Sequence, residues 1–247
     1  MVKNCLIGHT GFVGTNLKSQ KKFNYFFNSK NINNLEGKYN MIVCSAAPAK
    51  KWYANQNPEE DEKTIMSLIE NLKKVRTDKF ILISTIDVYS KSEGCDETTK
   101  DYDLVNAYGR NRRKLELFVE ENFDDYTIVR LPGLIGEGLK KNVIYDLINN
   151  NQIEKINTKD SFQWYNLRNL WKDIKNNIHR THINFFTEPI YNIQIIDEFF
   201  PDKKNLVSEG GSKSYNNKSV FYKNGYIQNY KEVINEIRLF LNSQQNI

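Results

Sequence analysis

The chain has 247 residues, enough for one large domain or one and a half, with roughly three quarters of the unfolded surface buried on folding. The cysteines (Cys5, Cys44, Cys95) and histidines (His9, His179, His182) are few and scattered, which excludes a disulfide framework and a four-ligand zinc site, and no apolar run approaches the roughly 18 residues of a membrane span. The net charge of +5 comes from 35 basic and 30 acidic residues dispersed in short patches, a pattern that argues against nucleic-acid binding and suits a small anionic ligand.

Met1-Val2-Lys3-Asn4 runs straight into a strand with no apolar signal-peptide region, so the expectation is a soluble cytoplasmic chain. Strands are predicted at Lys3–Gly8, Phe23–Phe27, Met41–Ala46, Phe80–Ser84 and Tyr126–Leu131. Between them, helices are predicted at Phe12–Ser19, at Glu59–Val75 (Ile65, Leu68, Ile69 and Leu72 on one face) and at Asn106–Glu121 (Leu115, Phe118 and Val119 on one face). Continuous apolar runs such as Ile81-Leu82-Ile83 and Thr127-Ile128-Val129 fit parallel strands buried on both faces. Strands alternating with helices of this length predict an α/β fold with a doubly wound parallel sheet. The stretch from Gly8 to Cys44 is short, so one crossover there should be an abbreviated loop. Farther on, helices are predicted near Asn142–Asn150, Leu167–Ile178 and Tyr230–Leu241, and short strands near Ile183–Phe186 and Tyr191–Ile193.

The first strand opens into Gly8-His9-Thr10-Gly11-Phe12-Val13-Gly14 and then a helix. Glycines three apart at a strand-to-helix turn permit positive φ and close backbone approach, and the helix start offers free N–H groups to a pyrophosphate. This predicts a dinucleotide site at Gly8, Thr10, Gly11, Phe12, Val13 and Gly14, with His9 structural. After the second strand stands Asn28-Ser29-Lys30. An acid there would bond the adenosine ribose and favour NAD; Ser29 and Lys30 could instead donate to a 2′-phosphate. The expected cofactor is NADP, with NAD the alternative.

Four segments together carry a resemblance: the Gly-rich turn; Cys44-Ser45-Ala46-Ala47; Ile83-Ser84-Thr85-Ile86-Asp87-Val88-Tyr89; and Tyr108-Gly109-Arg110-Asn111-Arg112 followed by Glu116. With Arg130-Leu131-Pro132-Gly133-Leu134-Ile135-Gly136 they resemble the extended short-chain dehydrogenase/reductase family, the epimerases and dehydratases of nucleotide sugars. The likeness covers about residues 2–136. It implies a Rossmann-type fold, with an NAD(P)-binding core over 1–135 and a small C-terminal α/β substrate lobe over 136–247 partly interleaved with it. It also implies cofactor contacts from Ser45, Ala46, Ala47, Ser84, Leu131 and Gly133, and a homodimer as one assembly.

By the same resemblance, Tyr108 exchanges a proton with a sugar carbonyl or carbinol and Thr85 bonds the same oxygen. The family's cation is a Lys four residues after the Tyr; here that position is Arg112, and Lys114 faces elsewhere on the helix. Arg112 is planar and never neutral, so the change is not conservative. Three readings stay open: Arg112 serves in a working enzyme, the chain is an inactive NAD(P)-binding regulatory or scaffold relative, or the helix is shifted and Arg112 lies on the surface. The dehydratases' Asp-Glu pair is here Ile86-Asp87, which argues against dehydration because elimination needs an acid and a base. Asp87 is a turn residue or a site residue. Substrate contacts are expected from Asp87, Lys140, Asn142, Gln163 and Tyr165, beside a nucleotide-linked sugar. The function expected is an NAD(P)-dependent oxidoreductase or epimerase on that sugar, ketoreduction favoured.

Overall fold

The computed structural model describes residues 2–100, 106–209 and 213–245. In chain order its strands are β1 (Asn4–Ile7), β2 (Tyr25–Phe27), β3 (Gly37–Cys44), β4 (Val75–Thr85), β5 (Tyr126–Leu131), β6 (Gly133–Ile135), β7 (Ser161–Phe162), β8 (Trp164–Asn166), β9 (His182–Asn184) and β10 (Ile190–Tyr191). The α-helices are α1 (Phe12–Gln20), α2 (Lys51–Gln56), α3 (Pro58–Leu72), α4 (Ala107–Asn122), α5 (Val143–Asn149), α6 (Leu170–Asn177), α7 (Asn192–Phe199) and α8 (Tyr230–Gln245).

The chain divides into two compact units that alternate along the sequence. The first comprises Met1–Ser90, Thr99–Leu131 and Arg168–Asn184, the second Lys91–Thr98, Pro132–Leu167 and Phe185–Ile247. The first unit holds a six-stranded sheet in the order β2-β1-β3-β4-β5-β9, parallel throughout. The order turns back at β1 and β3, and ligands of such sheets bind at the carboxyl ends of the strands flanking that switch. The protein is therefore a mixed α/β chain with a Rossmann-like parallel sheet.

Cys5, Ile7, Ile42, Cys44, Phe80, Leu82 and Ile128 bury one sheet face against Ile65, Leu68, Ile69 and Leu72 of α3 and Leu115, Phe118 and Val119 of α4. Side chains at i, i+3, i+4 and i+7 make such a stripe on each helix. Pro58 stands in the first turn of α3 with Glu59, Glu60 and Asp61, a start that needs no Pro N–H and favours acids. β2 reaches β3 through a single 3₁₀ turn at Ile32–Asn34, the abbreviated crossover that the spacing required.

A charged centre lies inside this unit. Arg130 of β5 is fully buried and forks onto Glu116 of α4 (Nε–Oε1 3.0 Å, Nη2–Oε2 2.7 Å). Ser84 Oγ donates to Glu116 Oε1 at 2.6 Å, and Arg130 Nη1 donates to the Tyr89 hydroxyl at 2.7 Å. Burial pushes the Glu116 carboxyl up, but Arg130 and Ser84 outweigh it and hold it below the usual carboxylate range.

The second unit carries two small sheets, β6 parallel to β8 and β7 antiparallel to β10. Its core gathers Ile135, Ile144, Leu147, Trp164, Ile190, Ile195, Ile196, Val233, Ile237 and Phe240. Two sequence-based expectations change and one element was missed. The helix expected to run to Val75 stops at Leu72, because Val75 pairs with Gly37 and opens β4. The strand expected at Tyr191–Ile193 is only the end of β10. From Asn192 the chain is helical, because Tyr191 and Gln194 cap that start reciprocally and Ile195 and Ile196 enter the core. The helix α2 had no counterpart among the expected elements.

Candidate active site

β1 ends at Ile7, and Gly8 turns the chain with φ +88°, in the left-handed region that favours glycine. A Cβ at Gly8 would lie 2.6 Å from the Ser45 carbonyl oxygen, and one at Gly14 would collide with the Gly8 carbonyl. The turn is thus folded tightly against the end of β3, where Ser45 donates to the Ile7 carbonyl through both its amide (2.9 Å) and its hydroxyl (3.1 Å). Ala46 and Ala47 continue as half-buried backbone packed on the core. Gly11 differs from its neighbours: it is exposed, and a Cβ there would meet only the Gly8 carbonyl oxygen, at 3.4 Å. It is also the N-cap of α1 and brings no capping side chain. The first-turn amides of Phe12 and Val13 are therefore left for an outside acceptor. This open cradle at a helix start fits the pyrophosphate of a dinucleotide.

At the end of β2 the Asn28 side chain closes its own turn, accepting from the Lys30 amide at 2.9 Å, and meets His9 Nε2 at 3.2 Å. Ser29 and Lys30 are exposed. Lys18 of α1 lies over the Phe26 ring, 5.4 Å from its centroid.

Thr85 ends β4 on the same edge of the sheet. Its hydroxyl accepts the Asp87 amide at 3.2 Å, capping the short turn Ile86–Val88, and donates to Asp87 Oδ2 at 3.5 Å; it also lies near enough to the Tyr108 phenol to favour its ionised form. Tyr108 enters from the first turn of α4. Asn106 caps that helix by accepting the Gly109 amide at 2.8 Å, and Asn55 of α2 accepts the Tyr108 amide at 3.0 Å. Gly109 lets α4 approach closely, since a Cβ there would strike the Asp87 carbonyl. Burial pushes the phenol up. Arg112, Thr85 and Lys51 pull it down, Asp87 pushes it further up, and the net is a rise.

Arg112 is 3% exposed, so the reading that places it on the surface is corrected: α4 is in register and turns this side chain inward. Its guanidinium stacks on the Tyr108 ring, 3.9 Å from the centroid. It forks onto Asp61 of α3, with Nη1 to Oδ2 and Nη2 to Oδ1 (the latter 2.9 Å), and donates to the Pro48 and Tyr108 carbonyls. Sequence reasoning missed Asp61, which reads locally as one more acid in a helix first turn. It also missed Lys51 at the start of α2, whose Nζ donates to Asp87 Oδ1 at 2.6 Å; no motif flags a lysine there.

The remaining candidates have other partners. Ser84 is held by Glu116, and Leu131 is buried at the end of β5. In the second unit, Gly133 opens β6, where a Cβ would press on the Gln163 carbonyl oxygen at 2.9 Å. Gln163 Nε2 donates to the Thr187 and Asn217 carbonyls at 2.6 and 2.8 Å, and its Oε1 accepts the Asn217 amide at 3.0 Å. Tyr165 is fully buried and stacked on Phe185 at 5.7 Å. Asn142 caps α5 by accepting the Tyr145 amide at 2.9 Å. Lys140 is exposed just before it.

An NAD(P)H-binding family model matches residues 28–160. The chain belongs to this NAD(P)H-binding family. No curated protein sequence matches it. Among solved structures, the NADP complex of dTDP-4-dehydrorhamnose reductase from Bacillus anthracis superposes with a TM-score of 0.73 at 18% identity, covering 98% of this chain and 100% of that one. UDP-N-acetylglucosamine 4-epimerase from Methanobrevibacter ruminantium gives 0.72 at 13%, over 98% and 99%. The NAD complex of dTDP-glucose 4,6-dehydratase from Bacillus anthracis gives 0.64 at 12%, over 100% and 98%. The chain is thus an NAD(P)-binding protein with the fold shared by these nucleotide-sugar reductases, epimerases and dehydratases. None of its described helices is long and apolar enough to cross a membrane.

Proposed function

We propose that the chain is an NAD(P)-dependent enzyme of nucleotide-linked sugars, a ketoreductase before an epimerase, with Tyr108 as the proton relay. The observation that carries this reading is the buried Tyr108, stacked on Arg112 and beside Thr85 at the strand ends that also bear the Gly8–Gly14 cradle. A reduced nicotinamide, when bound, would supply the hydride for the sugar ketone. Thr85 and Tyr108 donate hydrogen bonds to the ketone oxygen as negative charge grows on it, and the Tyr108 proton completes the carbinol. Arg112 beneath the ring favours the phenolate left behind, and its pairing with Asp61 weakens that help. Ile86 offers no acid for elimination.

The phosphates fall to the amides of Phe12 and Val13 and to the open face at Gly11, with Thr10 and the 45–47 backbone beside them. Exposed Ser29 and Lys30 and nearby Lys18 make the end of β2 a basic surface that suits the 2′-phosphate of NADP. We assign the cofactor to the first unit and the sugar nucleotide to the second, where exposed Lys140 is the candidate for a diphosphate contact. The test is NADPH consumption with a panel of dTDP- and UDP-linked keto sugars. Turnover is expected with at least one, and Tyr108→Phe should cut it about 100-fold or more. Tight cofactor binding with no turnover on any of them would favour the non-catalytic relative.

A further inference from the structure

His9 stands inside the Gly-rich turn, and nothing in the proposed chemistry uses it. Its half-buried ring reaches from that turn to the end of β2. It packs edge-on against Phe26, with centroids 5.5 Å apart, and its Nε2 lies 3.2 Å from Asn28 Nδ2. The orientation of the Asn28 amide is fixed: its Oδ1 accepts the Lys30 amide at 2.9 Å, so its Nδ2 is the end that faces His9. An amide nitrogen only donates, so His9 Nε2 accepts, and a neutral imidazole that accepts at one nitrogen carries its proton on the other. His9 is thereby held as the Nδ1–H tautomer. A proton on Nε2 would set two donors face to face. Burial, and after it the charge of Lys18, also push the imidazole below its ordinary value.

The Nδ1–H has no acceptor among the described residues; apart from Nε2, His9 bonds only through its carbonyl, which accepts from the Thr15 hydroxyl. The ring lies between the turn that fits a pyrophosphate and the strand end at which folds of this kind read the adenosine ribose. Ser29 and Lys30 are exposed just after Asn28, and Lys18 lies over the Phe26 ring. A phosphate there would meet cations and one oriented neutral donor.

We infer that His9 is a specificity-determining residue of the cofactor site, donating its Nδ1–H to the 2′-phosphate of NADP(H) while Asn28 holds the ring from the Nε2 side. The inference rests on the Gly8–Gly14 turn holding the cofactor. A phosphate oxygen is a charged acceptor and the ribose hydroxyl of NAD(H) a neutral one, so the same donor contributes more to NADP(H). His9 thus takes a binding role where its place in the turn suggests only a structural one.

The test has two parts. Nitrogen NMR of isotope-labelled histidine in the full-length protein without cofactor reads the tautomer, with the His9→Gln protein assigning the signal. Above the imidazole titration range His9 should show a protonated Nδ1 and a bare Nε2, and the reverse tautomer overturns the inference. Calorimetric titration with NADP and with NAD then reads the contact. His9→Gln keeps an acceptor for Asn28 and loses the donor at the Nδ1 position, while His9→Phe keeps the packing on Phe26 and loses both. Each should stay folded and weaken NADP binding about tenfold and NAD binding about threefold at most. His9→Asn, which puts an amide nitrogen at the Nδ1 position, should stay closer to the parent than either. Unchanged NADP affinity in both folded variants overturns the inference. So does an equal loss for the two cofactors, since the contact would then not be to the 2′-phosphate. Gly11→Val is titrated alongside. Parent-like NADP binding there removes the cradle reading, whereas impaired binding there with intact binding in the His9 variants removes the His9 inference alone.

Discussion

Two glycines of one turn have different tasks. A Cβ at Gly11 would only touch the Gly8 carbonyl oxygen, at 3.4 Å, whereas one at Gly14 would collide with it. Gly11→Val should leave a folded protein that has lost cofactor affinity by about tenfold or more, roughly 1.4 kcal/mol, as read by calorimetric titration. Gly14→Ala should cost about 1–3 kcal/mol of stability from overpacking, as read by urea denaturation. If the two variants behave alike, the turn is not the cradle described. Arg112 presents a similar contrast. Arg112→Ala strands the buried Asp61 carboxylate and should cost about 3–5 kcal/mol. Arg112→Lys keeps the charge but loses the fork onto Asp61 and the stacking on Tyr108, so it should cost less than alanine without matching wild type.

Helix α4 is the element on which the site depends, and it is fixed at both ends. Near its start, Gly109 rests against the Asp87 carbonyl. Gly109→Ala should push the helix off the turn and cut turnover about tenfold or more, since misplacement of about 1 Å costs up to 100-fold. Near its end, Glu120 receives Arg113 of the same helix and His182 of the edge strand β9 (Nε2–Oε1 3.1 Å). Burial pushes the Glu120 carboxyl up, but the His182 and Arg113 hydrogen bonds outweigh it and hold it at about 2. A carboxyl held below its unfolded value stabilises the fold above that value and loses the contribution as pH falls through the folded one. The Glu120 clamp is therefore complete above about pH 4.5 and lost toward pH 2. The difference in stability between wild type and Glu120→Gln, followed by denaturant titration, should shrink across that window. A difference that stays constant from pH 5 to 2 would falsify the clamp.

For the whole molecule, a ligand that binds only the folded state stabilises it by mass action. At about 100 times its Kd, the cofactor should add about 2.7 kcal/mol, or about 5–10 °C in Tm at this size. NADP(H) should shift Tm more than NAD(H) at equal concentration, because a charge-assisted contact to the 2′-phosphate contributes about 1.5–3 kcal/mol. Lys30→Ala should narrow that gap. A larger shift with NAD(H) would reverse the cofactor preference.

Local order in the chain was enough to read the sheet and the turn. Strands β1, β3, β4 and β5 each hold an apolar run and α3 and α4 an apolar stripe, and the glycines at 8, 11 and 14 stand where a strand must become a helix around open backbone. Thr85 and Tyr108 were singled out by the resemblance to the short-chain dehydrogenase/reductases, and they stand at a strand end and in the first turn of a helix. The partners of these side chains were not. Asp61 reaches Arg112 across 51 positions and Asn217 reaches Gln163 across 54, while Lys51 meets Asp87 only because α2 packs beside the turn after β4. Periodicity records which face of an element is buried, whereas a hydrogen bond or ion pair between distant positions depends on how two elements dock. The same limit hid α7. Its apolar residues read equally well as a strand, and the reciprocal cap at Tyr191 and the core that receives Ile195 and Ile196 settle the helix. The charge at Arg112 was visible from the first reading, but docking of α3 on α4 commits it to Asp61.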